Sequence, residues 1–384
     1  MVSLSWFLLF ISVFKYKMVV AIPNEVPPYD FACKTPPLIS KYAQDAVNGC
    51  EIVLYSTVFF SNGTALPDPR QMLNFGNNGI SQRKWCYILI ASDESAAEIK
   101  IRFQSIKPWV MLSQSEIFPS QRRNVSTYQE RRASRVSKLL PHWLFPASEA
   151  TIFVDWKLRL SLNPAEILRR TVFAPHRSNV GFAVFRHPCT TNYSTFPMCV
   201  SSRHHLVSRE NKNHELHLSD EFVAKHWWHI EMSKVCQLNK TSDIAEVKRQ
   251  QLRYLQEGLD MRHYADAAII IRVTSSLASH RVNCGWWEEY SRPWDSGDRD
   301  QPALAAVLAR NFHEPTQDPN EKWTKNFGPS STVLHLRGAI HPGARSAVLL
   351  LNEGPKGKCE PLCHWYVSSS LARLRQKVMG SSQQ

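Results

Sequence analysis

Two textures of apolar positions alternate along the chain. The first is the short, unbroken apolar run. Residues 51–60 (EIVLYSTVFF) are rich in β-branched and aromatic side chains between Gly49 and Asn62-Gly63, which predicts the first core strand. Residues 86–90, 152–154, 180–185 and 267–272 read as strands in the same way. Residues 99–103 (IKIRF) alternate strictly, the pattern of a half-buried strand. The second texture is helical. Within 126–145, Val136, Leu139, Leu140, Trp143 and Leu144 recur at i, i+3, i+4, i+7 and i+8, one buried stripe that Pro141 should kink or break. Asn163-Pro164-Ala165-Glu166 reads as N-cap, first-turn proline and capping-box carboxylate, a structural role for Glu166. Residues 242–258 form a second amphipathic helix with Ile244, Val247, Tyr254 and Leu255 on one side and a solvated polar face.

Composition narrows the class. The 384 residues are 43% hydrophobic, enough for one large domain or two modest ones. The formal charge of +13 favours anionic partners: nucleotide phosphates, acidic glycans or membrane surfaces. The chain shows neither an internal repeat nor an RNA- or DNA-binding signature, which sets nucleic acid aside. Residues 1–22 read as a targeting segment. LSWFLLFISVF (4–14) suits a signal-peptide core, and Val19-Val20-Ala21 offers a cleavage site. Lys15 and Lys17 between them keep a short signal anchor, and so membrane association, as the rival. Sequons at Asn62, Asn124, Asn192 and Asn239 point to N-glycosylation in the secretory pathway. Nine cysteines fit the same oxidising compartment, with connectivity open; Cys189/Cys199 and Cys359/Cys363 could close small loops.

Candidate chemistry gathers at strand ends. The 152–154 strand runs directly into Asp155, and a carboxylate at the carboxyl end of a buried strand lies where open α/β sheets hold ligands. A turn cap is the alternative role. Arg131, Arg132, Arg135 and Lys138 fall mostly off the apolar stripe: a solvated face, or cations close to a diphosphate. Arg186-His187 ends the 180–185 strand, where a basic pair can hold a sugar oxygen and a salt-bridged arginine is the plain alternative. Residues 189–235 look like a histidine-rich insertion. His214-Glu-Leu-His217 is one residue short of the spacing that puts two imidazoles on one helix face, which disfavours zinc. Asp300 either caps the helix carrying Leu304, Val307 and Leu308 or serves a site.

Residues 131–158 and 296–301 carry a family resemblance. Arg131, Arg132, Lys138, Leu140, His142, Leu144, Phe145 and Pro146 match a pattern R-R-x-x-K-x-P-K-x-L-x-H-x-L-F-P, followed by W-I-D-G-K-L where this chain has VDWKL. Arg299, Asp300 and Gln301 match an S-R-D-Q motif, and Glu288 or Glu289 an upstream glutamate. On these residues the chain resembles the TOD1/MUCI70-type glycosyltransferase-like domain family, formerly a domain of unknown function. It departs from the family at Arg135, Ser137 and Trp156, and at SNGTALPD in place of a G-x-Y-D turn. His335-x-x-Gly338-x-x-His341-Pro342 is similar to the H-x-x-G-x-x-K-P motif of glycogenin-like retaining transferases, with His341 in the lysine position.

The resemblance implies a GT-A-like nucleotide-diphospho-sugar transferase fold: α/β, with a single mixed, mostly parallel sheet flanked by helices. It implies transfer of a hexose from a nucleotide-sugar donor to a glycan or glycoconjugate acceptor in the Golgi or elsewhere in the secretory lumen, with secretion if residues 1–22 are cleaved. Asp155, Lys157, Asp300 and Gln301 would then be catalytic. Arg132, Lys138, Arg186, His187, Arg299 and His341 would bind substrate. Either Asp155 and His335 share a divalent cation, manganese or magnesium, or Lys157 and Arg132 neutralise the diphosphate instead. Domain bounds follow: a Pro-rich lead-in at 23–48, the transferase-like domain at 49–345 and a peripheral tail at 346–384. The family also brings a ceramide amide hydrolase activity as an alternative, and a catalytically inactive glycan-binding protein is the third.

Overall fold

Nine strands hydrogen-bond into one sheet in the computed structural model, which describes residues 33, 38–59, 68–73, 83–118, 134–156, 158–160, 163–186, 242–292, 300–313, 332–337, 345–351 and 363–365. In chain order the strands are β1 (Ile52–Val58), β2 (Trp85–Ala91), β3 (Trp109–Ser113), β4 (Ala150–Val154), β5 (Leu158–Leu160), β6 (Val180–Arg186), β7 (Ala265–Val273), β8 (Phe312–His313), β9 (Thr332–Leu336), β10 (Ala347–Leu351) and β11 (Cys363–Trp365). The sheet runs β3-β2-β1-β4-β7-β6-β10-β9-β8, and β5 pairs separately with β11. β7 lies antiparallel between β4 and β6, and β9 antiparallel between β10 and β8. The other ladders are parallel, so seven of the nine strands, all but β7 and β9, point one way. The fold is therefore mixed α/β on a mostly parallel sheet.

Burial explains why these runs are strands. Every residue of β1, β4 and β6 is buried, as expected for strands covered on both faces. The chain fills one side of β1 with β2 and β3, then crosses to place β4 on the other. The order thus reverses between β1 and β4, and the crevice beyond their carboxyl ends is where such sheets take ligands. At the opposite, amino edge β6 carries Gly181. A Cβ there would lie 2.5 Å from the Arg345 carbonyl oxygen, so only glycine fits.

The helices are α1 (Lys41–Ala46), α2 (Asp93–Arg102), α3 (Gln114–Ile117), α4 (134–139), α5 (Pro141–Leu144), α6 (Pro164–Arg170), α7 (Ser242–Gln256), α8 (Leu277–Tyr290) and α9 (Asp300–Asn311). Four differ from the sequence reading. The alternation at 99–103 ends a helix, not a strand: Ser92 caps α2 by accepting from Ser95 N, and Asp93, Glu94, Lys100 and Arg102 complement the helix dipole. Ile99 points inward while Ile101 is 85% exposed. The lead-in, expected to reach residue 48, is folded from Leu38 onward, with Ala43 of α1 buried and Ser40 N donating to Ile117 O at 3.1 Å. In α7, Val247 and Tyr254 are buried as expected, but Leu255 is exposed and Gln250 takes its place inside. Pro141 does break the 126–145 helix, opening α5 at its first turn. Asn163 caps α6 through Ala165 N, but Glu166 pairs with Arg169 and Arg170 rather than closing a capping box.

Among the described residues two disulfides are formed, Cys33–Cys284 and Cys50–Cys86. Cys189, Cys199, Cys236 and Cys359 lie outside the described residues, as do the four sequons, the 189–235 insertion and residues 1–22. Among the described residues no helix is long and apolar enough to cross a membrane.

Candidate functional site at the carboxyl edge of the sheet

Asp155 follows β4 at the point where the strand order reverses. Its backbone N–H donates to Ala268 O of β7 at 2.7 Å, and its carbonyl accepts from Leu158 N at 2.8 Å. The backbone N–H and carbonyl of Asp155 are thus both paired within the sheet and the turn. Phe153, two residues back on β4, forms the floor under Lys138.

Lys138 is the unexpected residue. Of the two roles its helix face allows, solvated or close to a diphosphate, the first does not hold, because its side chain is 5% exposed. The ammonium lies 2.5 Å from Asp300 Oδ2, over the Phe153 ring at 5.1 Å and the Trp286 ring at 5.7 Å. Arg135 Nε approaches the same carboxylate oxygen at 3.6 Å. Burial pulls the lysine below its ordinary pKa; the charges of Asp300 and Asp155 oppose that shift, and Arg135 adds to it. Asp155, Arg135, Lys138 and Asp300 therefore form one electrostatic unit.

Asp300 opens α9. The Trp286 indole of α8 donates to its carbonyl at 2.7 Å, which fixes the start of the helix. Next to it, Gln301 Nε2 donates to Asp266 Oδ1 at 3.1 Å, an oxygen that also accepts from Ala268 N at 3.1 Å. Arg186, buried at the end of β6, pairs in register with Ala265 beside that aspartate. Asp266 was missed in the sequence because the apolar run was taken to start one residue later. Its signal was a carboxylate at the opening of an antiparallel strand, at the same sheet edge as Asp155.

A second layer holds the first. Arg272 of β7 is fully enclosed. It donates to Lys138 O at 2.9 Å, to Tyr55 OH at 3.2 Å and to Asn283 Oδ1 at 2.8 Å. Burial pushes the Tyr55 phenol up to about 12, against the pull of Arg272. Tyr55 stays a neutral donor and supports the same Lys138 carbonyl at 3.3 Å.

The structure thus joins Lys138, Asp155, Arg186, Asp300 and Gln301 at one edge. Lys157, Arg132, His187, Arg299 and His341 lie outside the described residues. His335 does not join the set. Its backbone on β9 pairs with Ala347, the first residue of β10, at the amino edge of the sheet. Four strand spacings, about 19 Å, also separate β9 from β4. The expected sharing of a cation between Asp155 and His335 is corrected accordingly.

Asp300 is engaged by Lys138, and among the described residues no three carboxylate or imidazole ligands converge within 4.8 Å at the carboxyl edge. The grouping of Cys33, His142 and Cys284 has that spacing, but its two sulfurs are bonded to each other.

Residues 32–196 match the family described as TOD1/MUCI70, glycosyltransferase-like domain. The match takes in β1 to β6, Lys138 and Asp155, and stops before β7 and Asp300. A curated relative, "Probable hexosyltransferase MUCI70" of Arabidopsis thaliana, is 29% identical over 116 residues, 30% of this chain and 18% of that protein's length. Among solved structures, apo mouse xyloside xylosyltransferase 1 aligns with 67% of this chain and 82% of its own at TM-score 0.35 and 8% identity. The apo WbbM bifunctional glycosyltransferase aligns with 71% and 39% at TM-score 0.34 and 12% identity. The matched residues 32–196 thus include the strand-end aspartate and the helix lysine, and the chain beyond them supplies Ala268 and Asp300, the partners of both.

Proposed function

We propose that the carboxyl edge binds a nucleotide-sugar and that the protein transfers its hexose to a glycan or glycoconjugate acceptor in the secretory pathway. The observation that carries this reading is the Lys138–Asp300 ion pair, buried beside Asp155 where the strand order reverses. A buried pair adds little stability over apolar side chains of the same size, so its place at a ligand crevice favours a functional role. The family match and the hexosyltransferase relative support the same class. The two disulfides support a lumenal compartment, with the Golgi as the natural station for such chemistry.

In this reading the leaving diphosphate is neutralised by cations rather than by a resident metal. Lys138 and Arg135 supply positive charge from the helix side, joined by Arg132 and Lys157. Asp155 orients the donor at the strand end. Asp300 and Gln301 hold the sugar and the acceptor hydroxyl in line with the anomeric carbon. Arg186 and His187 serve the acceptor side, with Arg299 and His341 as further contacts.

The test is a thermal-shift and donor-hydrolysis screen of the secreted protein against a nucleotide-sugar panel, with manganese and with chelator. One donor should raise Tm and be slowly hydrolysed in either condition. Stabilisation that vanishes with chelator would replace the cationic account by a metal-assisted one. A panel without any effect would remove the transferase reading.

A further inference from the structure

Cys33–Cys284 joins the N-terminal lead-in to α8 across 251 residues of sequence. One imidazole faces it: His142 Nε2 lies 4.0 Å from Cys33 Sγ. The tautomer of that imidazole is fixed by a chain of donors. Arg272 only donates, so the Asn283 atom 2.8 Å from its Nε is the amide oxygen. The amide nitrogen of Asn283 therefore faces His142 Nδ1, at 3.2 Å, and donates to it. Nδ1 accepts, which puts the imidazole proton on Nε2, directed at the Cys33 sulfur. Burial, together with the charges of His280 and Arg272, lowers His142 to about 4, so it holds this neutral form throughout the lumenal pH range.

We infer that Cys33–Cys284 is a thiol–disulfide exchange site, with Cys284 as the sulfur attacked and Cys33 as the leaving thiolate, stabilised by the N–H of His142. Cys33 is buried while Cys284 is partly exposed on α8. A dithiol reductant reaches Cys284 first. Its thiolate forms a new S–S bond to Cys284 Sγ, the old bond breaks, and the electron pair stays on Cys33 Sγ. The N–H donor lowers the basicity of that sulfur and makes it the better leaving group. The second thiol of the reductant then displaces Cys284 as a thiolate. Two electrons have passed to the protein, and the reductant leaves as its disulfide.

The opened bond frees the lead-in at Cys33, whose carbonyl is otherwise held only by the Trp143 indole at 3.2 Å among the contacts described. It also frees α8 at the residue after Asn283, the start of the chain Asn283–Arg272–Lys138 that reaches the carboxyl edge. Cys50–Cys86 has no such imidazole among the described residues, and it serves as an internal control.

The experiment is graded reduction of the full secreted chain with dithiothreitol, quenched by alkylation and mapped by mass spectrometry. Cys33–Cys284 should open before Cys50–Cys86, and the early mixed disulfide should be carried by Cys284 with Cys33 alkylated. His142→Phe should slow the opening about fivefold, the loss of one hydrogen bond to the leaving sulfur, while His142→Gln, which keeps an N–H donor, should recover much of the rate. A mixed disulfide on Cys33, or opening of Cys50–Cys86 first, would overturn the proposal on the wild-type protein alone. An unchanged rate in a folded His142→Phe variant would overturn the role of the imidazole.

Discussion

Two buried charge clusters sit only one helix apart, and they are built differently. Between α7, α8 and α9, Glu289 is 1% exposed and surrounded by donors. Arg253 and Tyr254 share one of its oxygens, Tyr254 at 2.9 Å; Arg310 takes the other at 2.5 Å, with Arg292 3.6 Å away. Gln250 in turn donates to Tyr254 OH at 2.9 Å. These side chains tie three helices together around one carboxylate. At the sheet edge, Lys138 faces Asp300 in an equally dry place, but the pair lies over aromatic rings at the crevice where the strand order reverses. The first cluster satisfies its charge from within the helix layer. The second holds a desolvated cation next to Asp155, where an anion could exchange for a carboxylate. Burial alone does not separate a structural ion pair from a candidate site; the position relative to the sheet does.

Five variants would break or sharpen that contrast. The largest effect on stability is expected from Asp300→Ala, which strands Lys138 in the core and should cost about 3–5 kcal/mol in urea unfolding. Lys138→Met combined with Asp300→Leu should recover most of that loss while leaving the donor-induced Tm shift absent. That outcome would separate the pair's role in folding from its role in binding. Glu289→Ala should cost about 3 kcal/mol by exposing two arginines to each other, yet leave the donor response in place. A smaller effect concerns acid. Burial raises the Glu289 carboxyl, but hydrogen bonds from Arg253 and Arg310 outweigh it and hold the group below its ordinary value of 4.5. A depressed folded pKa means stability that is fully present above about 4.5 and lost as pH falls through the folded value. Wild type should therefore lose more stability than Glu289→Gln between neutral pH and pH 3, read by urea midpoints. The smallest cost in stability, under about 1 kcal/mol, is expected for Asp155→Asn, a partly exposed and isosteric change.

Much of the sheet was legible because its strands are local apolar runs: β1, β2, β4, β6 and β7 lie within a residue or two of where the pattern put them. Asp155 was legible for the same reason, as the first polar residue after such a run. The IKIRF segment was misread because five residues fit both periods. The deciding signals, Ser92 and the acidic first turn, stand five to seven residues earlier. Lys138 stands out in the sequence as a cation that is either solvated or close to a diphosphate, but its enclosure is not legible there. Its burial depends on Asp300, 162 positions away, and on rings from β4 and α8, none of which helical spacing can convey. Asp266 and the Tyr55–Arg272–Asn283 layer were missed for a related reason. Their roles come from strand register across β1, β4 and β7 and from a helix that lies over it. Leu255 illustrates the reverse error, an apolar residue on the right helical face with nothing to cover it among the described residues.

The most direct measurement is the Tm shift given by the best nucleotide-sugar of the panel, taken on wild type and on Asp155→Asn side by side in chelator. The account predicts a clear stabilisation of wild type and none of the variant, with Tm values within a few degrees of each other in the absence of donor. Equal shifts in both proteins, or none in wild type, would contradict a donor site at the carboxyl edge of the sheet.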